Sequence, residues 1–341
     1  MHPIAPTPSP TPTLARRDAL ALTTALTTAF GAALASAPAQ AQAPSGRTTR
    51  VLVGFPPGGT SDSVSRLYTE RLRATNGGVV ENRPGAGGRL ALEALKAAVP
   101  DGNTMCFTPA SMLTIYPHLY TRTLRYDPVA DFVAVTPTCV FPFALAVKAN
   151  HPARTLPDFI TWSRAQNGGI NWASPVPGSM PHFIGTELAR KTGLTMTHVP
   201  YRGSAPAVQD LLAGTIPMVL LPLGELTAFH RSGDVRIVGV TSPERMPRLD
   251  DVPTFAEAGH ADLTHEEWYG AFLPARTPEP VVAQLHAALA AAAASPEVRE
   301  VLTRIDMAPL TLAPAAFAER MRRELAAWAP IVQASGFRPD D

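Results

Sequence analysis

Two stretches of this chain carry polar groups at a spacing suited to holding an anion. In VLVGFPPGGTSD (51–62) an apolar run ends in Pro-Pro-Gly-Gly and leads into Thr60, Ser61 and Asp62. Val64, Leu67, Tyr68 and Leu72 then recur at helical spacing, so a strand turns through glycine into a helix. Gly58 and Gly59 let a ligand approach the backbone closely. The first helical N–H groups lack intrahelical acceptors and sit at the positive end of the helix dipole, and Thr60 and Ser61 add hydroxyls. That makes an anion socket without Lys or Arg. GINWASPVPGSMPHFIGTELA (169–189) repeats the pattern. Ser174, Gly178 and Ser179 are its candidate donors, with Ser179 at the N-cap, His182 at N3, and Phe183, Ile184 and Leu188 opening the helix stripe. A capped helix with no ligand would read the same way, so the weight lies in having two such loops.

Weaker candidates flank these. Thr108 and Ser111, in TPAS, end a strand and can rim a cleft. Tyr201 and Arg202 precede another helix start, where Ser204 is read as an ordinary N-cap. Trp268 and Tyr269 are read as packing in a hinge. The signs of catalysis are missing. There is no G-x-S-x-G elbow and no H-E-x-x-H, and Ser179 and His182 have no evident acidic partner. No cysteine or histidine spacing suggests a metal. Neither a metal site nor a cofactor is expected.

The elements that would position these groups alternate. Strands are predicted at 50–55, 78–81, 103–107, 131–137, 142–148, 170–173, 196–199, 216–221, 235–240 and 268–273. Helices are predicted at 61–74, 89–98, 156–166, 179–191, 205–213, 223–231, 279–293, 296–304 and 314–335, with an irregular stretch up to about 126. In the last helix Phe317, Met321, Leu325, Trp328 and Ile331 mark a packed face. Alternating βα units imply an α/β fold with parallel-rich sheets. Composition breaks at 150–157 and 259–267 suggest two sheets, with the chain crossing twice between them. The expected division is 46–141 plus 269–341 for a discontinuous first domain and 142–268 for the second. Such a chain leaves a cleft at a two-strand hinge, where ligands bind in such folds.

Composition narrows the class. The 341 residues carry a net charge of +1, which argues against a nucleic-acid partner. Proline reaches 36 residues, about twice the usual ~5%, and many close apolar runs, as a preformed site would need. Residues 1–41 read as a tail and signal peptide. Arg16-Arg17 precede the apolar stretch Ala19–Ala35, and Ala39-Gln40-Ala41 forms an A-x-A cleavage site. Sec and Tat export both fit. The mature chain is expected in a bacterial periplasm, soluble and without a lipid anchor. Cys106 and Cys139 could pair there, but buried free thiols are the favoured reading.

With these residues in view, the chain resembles the Bug, or TctC-type, extracytoplasmic solute-binding proteins of tripartite tricarboxylate transport systems. The resemblance spans about Val51 to Gly336. Its blocks are VGFPPGGTSD, VENRPGAGG at 80–88, PDGNT at 100–104, INWASPVPGSMPH at 170–182, THVPYRGSAPAVQDLLAG at 197–214, VTSPERMPRLDDVPTFAEAG at 240–259 and LPARTPEPVV at 273–282. It implies a two-lobed periplasmic-binding-protein type II fold, no catalysis, and carboxylate ligands held by backbone N–H groups, hydroxyls and water. It carries binding roles to Phe55, Gly58, Gly59 and Thr60, and to Ser174, Gly178 and Ser179, with Asp62 as a capping and loop-ordering acid. Departures include Arg89 after GAGG, Asn103 after Asp-Gly, TPASM at 108–112 and Pro217, so ligand preference can differ from that of typical members.

The expected site is therefore Phe55, Gly58, Gly59, Thr60, Ser61, Asp62, Thr108, Ser111, Ser174, Gly178, Ser179 and Tyr201. The expected function is capture of a small organic carboxylate by a monomer and its delivery to the membrane permease subunits of a tripartite tricarboxylate-type system. The alternative is presentation of that ligand to a membrane sensor kinase.

Overall fold

A computed structural model describes residues 48–72 and 77–339. The expected tail and signal peptide, residues 73–74 of the first predicted helix, and the outermost residues of the predicted first domain lie outside the described residues. Strand β1 (Thr49–Val53) leads to helix α1 (Thr60–Arg71), and β2 (Gly78–Asn82) to α2 (Arg89–Lys96). Strand β3 (Thr104–Pro109) leads to two short helices, α3 (Ser111–Thr114) and α4 (Tyr116–Leu119), inside the stretch expected to be irregular. Strand β4 (Phe132–Lys148) opens a second series: α5 (Leu156–Arg164), β5 (Ile170–Ser174), α6 (Met180–Thr192), β6 (Met196–Pro200), α7 (Ser204–Ala213) and β7 (Met218–Pro222). It closes with α8 (Thr227–Ser232) and β8 (Val235–Val240). The chain returns through β9 (Glu266–Pro274) to α9 (Glu279–Ala294), α10 (Pro296–Arg304), β10 (Ala308–Pro309) and α11 (Pro314–Ser335).

The strands run β2-β1-β3-β9-β4-β7-β5-β6, with β8 and β10 also paired to β4. Pairs β1–β2, β1–β3, β5–β6 and β5–β7 are parallel, as βα crossovers require. Strand β4 joins the two series. It pairs with β9 from Phe132 to Pro142, then with β7 and β8 from Phe143 onward. The chain is a mixed α/β protein whose two sheet regions are joined by β4.

One strand of 17 residues replaces the two predicted at 131–137 and 142–148. Pro137 and Pro142 stand at the facing bounds of those two predicted strands. Pro137 instead sits at a register shift against β9, and Pro142 is the last residue before the change of partner. Both are places where a strand tolerates a missing N–H. The helix predicted at 223–231 is also broken, into a 3₁₀ turn (Leu223–Glu225) and α8. The first strand is shorter than expected, ending at Val53.

The helical stripes pack as their spacing implies. Val64, Tyr68 and Leu72 are buried, as are Phe317, Met321 and Trp328, while Leu325 and Ile331 are half-buried. Cys106 and Cys139 are free and buried, the Cys139 Sγ 3.8 Å from Met307 Sδ. Among the described residues no single helix is long and apolar enough to cross a membrane.

Candidate functional site

The segments that follow strands β1, β3, β5, β6 and β7 converge on one cavity of about 560 Å³. This is the carboxyl end of parallel-type strands, where α/β folds place ligands. Three helix starts reach its wall: Thr60 and Ser61 of α1, Pro181 of α6 behind its N-cap Ser179, and Ser204 to Pro206 of α7.

The loop after β1 is pinned from beneath. A Cβ on Gly54 would lie 2.6 Å from Gly88 Cα, so backbone meets backbone there and only glycine fits. Gly58 holds φ +84°. Its N–H donates to Asp62 Oδ2 at 3.0 Å, and Asn82 Nδ2 donates both to Asp62 Oδ1 at 2.9 Å and to the Phe55 carbonyl at 3.0 Å. Arg66 Nε closes the cluster on Asp62 Oδ2 at 2.9 Å. Burial opposes ionisation of Asp62, but Arg66, the Gly58 N–H and Asn82 outweigh it and hold the carboxyl below its usual range. The first bond of α1 runs from Ser63 N–H to the Gly59 carbonyl at 3.0 Å. The Thr60 and Ser61 amides therefore have no intrahelical acceptor, at the positive end of the dipole.

The loop after β5 has the same shape and different bonding. Gly178 holds φ +78°, and its N–H donates to His182 Nδ1 at 3.0 Å. Ser179 donates twice to the Val176 carbonyl, from N–H at 3.2 Å and from Oγ at 2.6 Å. Met180 N–H donates to Ser111 Oγ at 3.0 Å, and Pro181 has no N–H. Burial, helped by His198, pushes the His182 pKa down to about 3, so the ring is neutral and can accept. Burial likewise lowers His198 to about 4.

Two carboxylates stand in the cavity wall. Glu225, in the 3₁₀ turn after β7, accepts from Thr60 Oγ1 at 2.5 Å. Burial raises its pKa, opposed by the Ser204 and Thr60 hydroxyls. Glu267 on β9 is 5% exposed. Its Oε1 accepts from Ser111 N–H at 2.9 Å and from Ser111 Oγ at 2.5 Å. Burial raises its pKa to about 7 against those two bonds, with Glu324 adding to the rise. Arg202 is the cation on the wall among the described residues, and it is exposed.

A family model described as "Tripartite tricarboxylate transporter family receptor" matches residues 63–337. A UPF0065 protein encoded in the tcbD-tcbE intergenic region of Pseudomonas sp. (strain P51) is 33% identical over 287 residues, covering 82% of this chain and 84% of its own. Among solved structures, MatC of Rhodopseudomonas palustris with bound malate has a TM-score of 0.76 and 31% identity, covering 84% of this chain and 99% of its own. Rpa4515 of R. palustris with adipate has a TM-score of 0.81 and 28% identity, covering 86% and 99%. The chain belongs to the tripartite tricarboxylate transporter receptor family.

In this receptor, seven of the sequence-derived candidates line the cavity: Phe55, Gly58, Gly59, Thr60, Ser61, Ser111 and Ser179. The other five do not. Asp62 is turned under its loop and bonded on both oxygens. Thr108 is buried within β3. Ser174 is fully buried, with Oγ 2.9 Å from His198 Nε2. Gly178 spends its amide on His182 and faces Leu119. Tyr201 donates its hydroxyl to Asp210 Oδ2 at 2.5 Å. Ser204 is the first helical residue of α7 and not its cap, which is Gly203, held by a 2.7 Å bond to the Pro175 carbonyl. Ser179 keeps the N-cap position, but its hydroxyl donates backward and does not cap. Arg89 stacks 3.7 Å over the Tyr120 ring, off the cavity wall. Trp268 is buried, its Nε1 donating to Glu324, while Tyr269 reaches the wall.

Sequence reading passed over Glu225 and Glu267, and took the start of α7 for an ordinary capped helix. The α7 start carried a usable signal in Gly203, Ser204 and Pro206 after a strand. Glu225 is a lone acid and Glu267 the second of an adjacent pair, both beside apolar runs, and only the fold brings them to Thr60 and Ser111.

Proposed function

We propose that this receptor captures a small organic carboxylate in the periplasm and delivers it to the permease subunits of a tripartite tricarboxylate-type transporter, without catalysing a reaction. The observation that carries the reading is the open start of α1. The Thr60 and Ser61 amides have no intrahelical acceptor and head a 12-residue helix, and the two residues line a cavity sized for a small metabolite. Malate on MatC and adipate on Rpa4515 support carboxylates as the class.

The candidate binding groups are the amides of Gly59, Thr60 and Ser61, with Phe55, Ser111 and Ser179 shaping the wall. The lobes we assign are 46–141 with 269–341, and 142–268, which turn about the point where β4 changes partners. Thr60–Glu225 and Ser111–Met180 then join the lobes across the cleft. A ligand touching both lobes favours the closed form by its differential affinity, and a permease can read that form.

A thermal-shift screen of di-, tri- and monocarboxylates, followed by titration calorimetry of the hits, tests the reading. Binding that Ser61→Pro weakens supports it. Tight binding that is indifferent to Ser61→Pro, or failure of every carboxylate, overturns it.

A further inference from the structure

A cavity built for an anion has no evident use for two carboxylates, yet Glu225 and Glu267 both stand in its wall. Resting on the carboxylate reading, we propose that the ligand is zwitterionic. Its carboxylate lies at the open amides of the loop after β1, and its protonated amine lies against the Glu225 and Glu267 side chains.

The hydrogen bonds prepare both glutamates as acceptors. The Ser111 N–H can only donate, and it points at Glu267 Oε1. The Ser111 hydroxyl accepts from Met180 N–H and sends its own proton to that same oxygen. Thr60 donates to Glu225, and the Ser204 hydroxyl lowers the cost of its charge. A carboxylic acid proton would find no dedicated acceptor among these groups. Donors aimed at a carboxylate favour its ionised form.

The protein nevertheless supplies no counter-charge. No Lys or Arg pairs with either glutamate among the described residues, and the forces on them are burial, neutral donors and, for Glu267, a second acid in Glu324. Arg202 is exposed and shares no hydrogen bond with them. Glu267 Oε2 accepts from no described donor. Burial without a counter-charge raises both pKa values, and an ammonium brought by the ligand supplies the missing partner and favours the ionised form of each. A plain dicarboxylate would add more negative charge to a wall that already carries two acids and a single exposed cation. A zwitterion meets both signs of the cavity, and Phe55, Phe143 and Tyr269 offer aromatic faces that also suit a cationic nitrogen.

The experiment is calorimetry on the purified full-length protein, freed of co-purified ligand, with matched pairs that differ by one amine. The pairs are succinate and L-aspartate, glutarate and L-glutamate, and butyrate and γ-aminobutyrate. At least one amine-bearing member is expected to bind about tenfold or more tighter than its counterpart, the size of one charged hydrogen bond. Glu225→Gln or Glu267→Gln is expected to shrink that ratio to about threefold or less, with thermal melts checking that each variant folds.

Proton counting by titration in buffers of different ionisation heat gives a second readout at neutral pH that needs no variant. A cation beside Glu267 releases protons, and an added anion takes them up. Amine-free members binding as tightly as their partners, a ratio unchanged in both variants, or proton uptake with the amine-bearing ligand would each overturn the zwitterion while leaving the carboxylate receptor standing. If no carboxylate binds with or without an amine, both fall.

Discussion

The loops after β1 and after β5 are near copies in backbone and opposites in chemistry. Each places a left-handed glycine two residues before its helix, Gly58 at φ +84° and Gly178 at φ +78°. Each follows with an extended N-cap, Gly59 at φ −78°, ψ 171° and Ser179 at φ −83°, ψ 168°. Each ties the glycine N–H to the side chain four residues on, Asp62 or His182, at 3.0 Å. Beyond that the chemistry separates. At the first helical position Thr60 keeps a free amide while Met180 gives its own to Ser111; at the second, Ser61 has an N–H where Pro181 has none. On the proposed reading, the same turn leaves its amides open to an anion in one place and spends them on the protein in the other. A glycine turn before a helix is a scaffold, and whether it binds depends on where its amides are spent.

Acid should break the likeness with the largest effect. His182 and His198 are neutral when folded, with pKa values of about 3 and about 4, whereas an unfolded histidine protonates near 6.5. Below that value the unfolded chain binds more protons, so stability falls as pH drops from about 6.5 towards 4. The slope reaches about 1.4 kcal/mol per pH unit for each ring. Glu267, raised to about 7, acts in the opposite sense and gains stability as pH falls through the same window. Asp62 is held below 3.8, so the loop after β1 keeps its carboxylate until the pH falls past that value. Melting curves against pH should show His182→Gln flatter than wild type between pH 6.5 and 4. An unchanged slope would mean that the ring does not hold the Gly178 amide in neutral form.

Alanine at the two glycines separates them next. A Cβ on Gly58 meets nothing within 4 Å, so Gly58→Ala bears only left-handed strain, about 1–2 kcal/mol. On Gly178 the same Cβ falls 2.7 Å from Leu119 Cδ1. Strain and overpacking then add, to about 2–4 kcal/mol in a denaturant melt. Equal losses at both sites would contradict the packing described behind the β5 loop.

The amides themselves are sharpened by exchanging one residue for its counterpart. Ser61→Pro deletes a donor at a first-turn position that proline tolerates. Carboxylate affinity should fall by about 1.5–3 kcal/mol, the worth of a hydrogen bond to a charge, with a small change in melting temperature. Pro181→Ser should leave affinity within about twofold, well inside one charged hydrogen bond. Calorimetry on the two variants distinguishes a site built on one loop from a site built on both.

Much of this was legible in advance, and the remainder failed for identifiable reasons. Apolar runs ending in glycine and proline marked the strands and turns, and the stripes at Val64, Tyr68 and Leu72 and at Phe317, Met321 and Trp328 marked the buried helix faces. In sequence β4 reads as two strands, and Pro137 and Pro142 fit one continuous strand only because a register shift and a change of partner fall there. In sequence the second loop looks like a second set of free donors, because its amides and hydroxyls are visible there and their acceptors in the fold are not. Ser111 lies 69 residues from Met180 and 156 from Glu267, so no local pattern announces that one hydroxyl bridges them. Glu225 and Thr60 are 165 apart and meet only through the crossing of β4.

The smallest expected effect concerns the hydroxyls, which look interchangeable in sequence. Ser179 Oγ donates to the Val176 carbonyl at 2.6 Å, so Ser179→Ala loses one internal bond, about 1 kcal/mol of stability, and leaves ligand affinity unmoved. Thr60 Oγ1 donates to Glu225, so Thr60→Val removes a similar bond and strips a donor from a carboxylate in the cavity. Its stability cost should match that of Ser179→Ala to within a few tenths of a kcal/mol, because each deletes one hydroxyl bond. Its affinity should change as well, since Glu225 becomes a harder group to ionise beside the ligand. A Thr60→Val protein that binds like wild type, measured beside Ser179→Ala in the same titration, would place Glu225 outside recognition and reduce the difference between the loops to backbone amides alone.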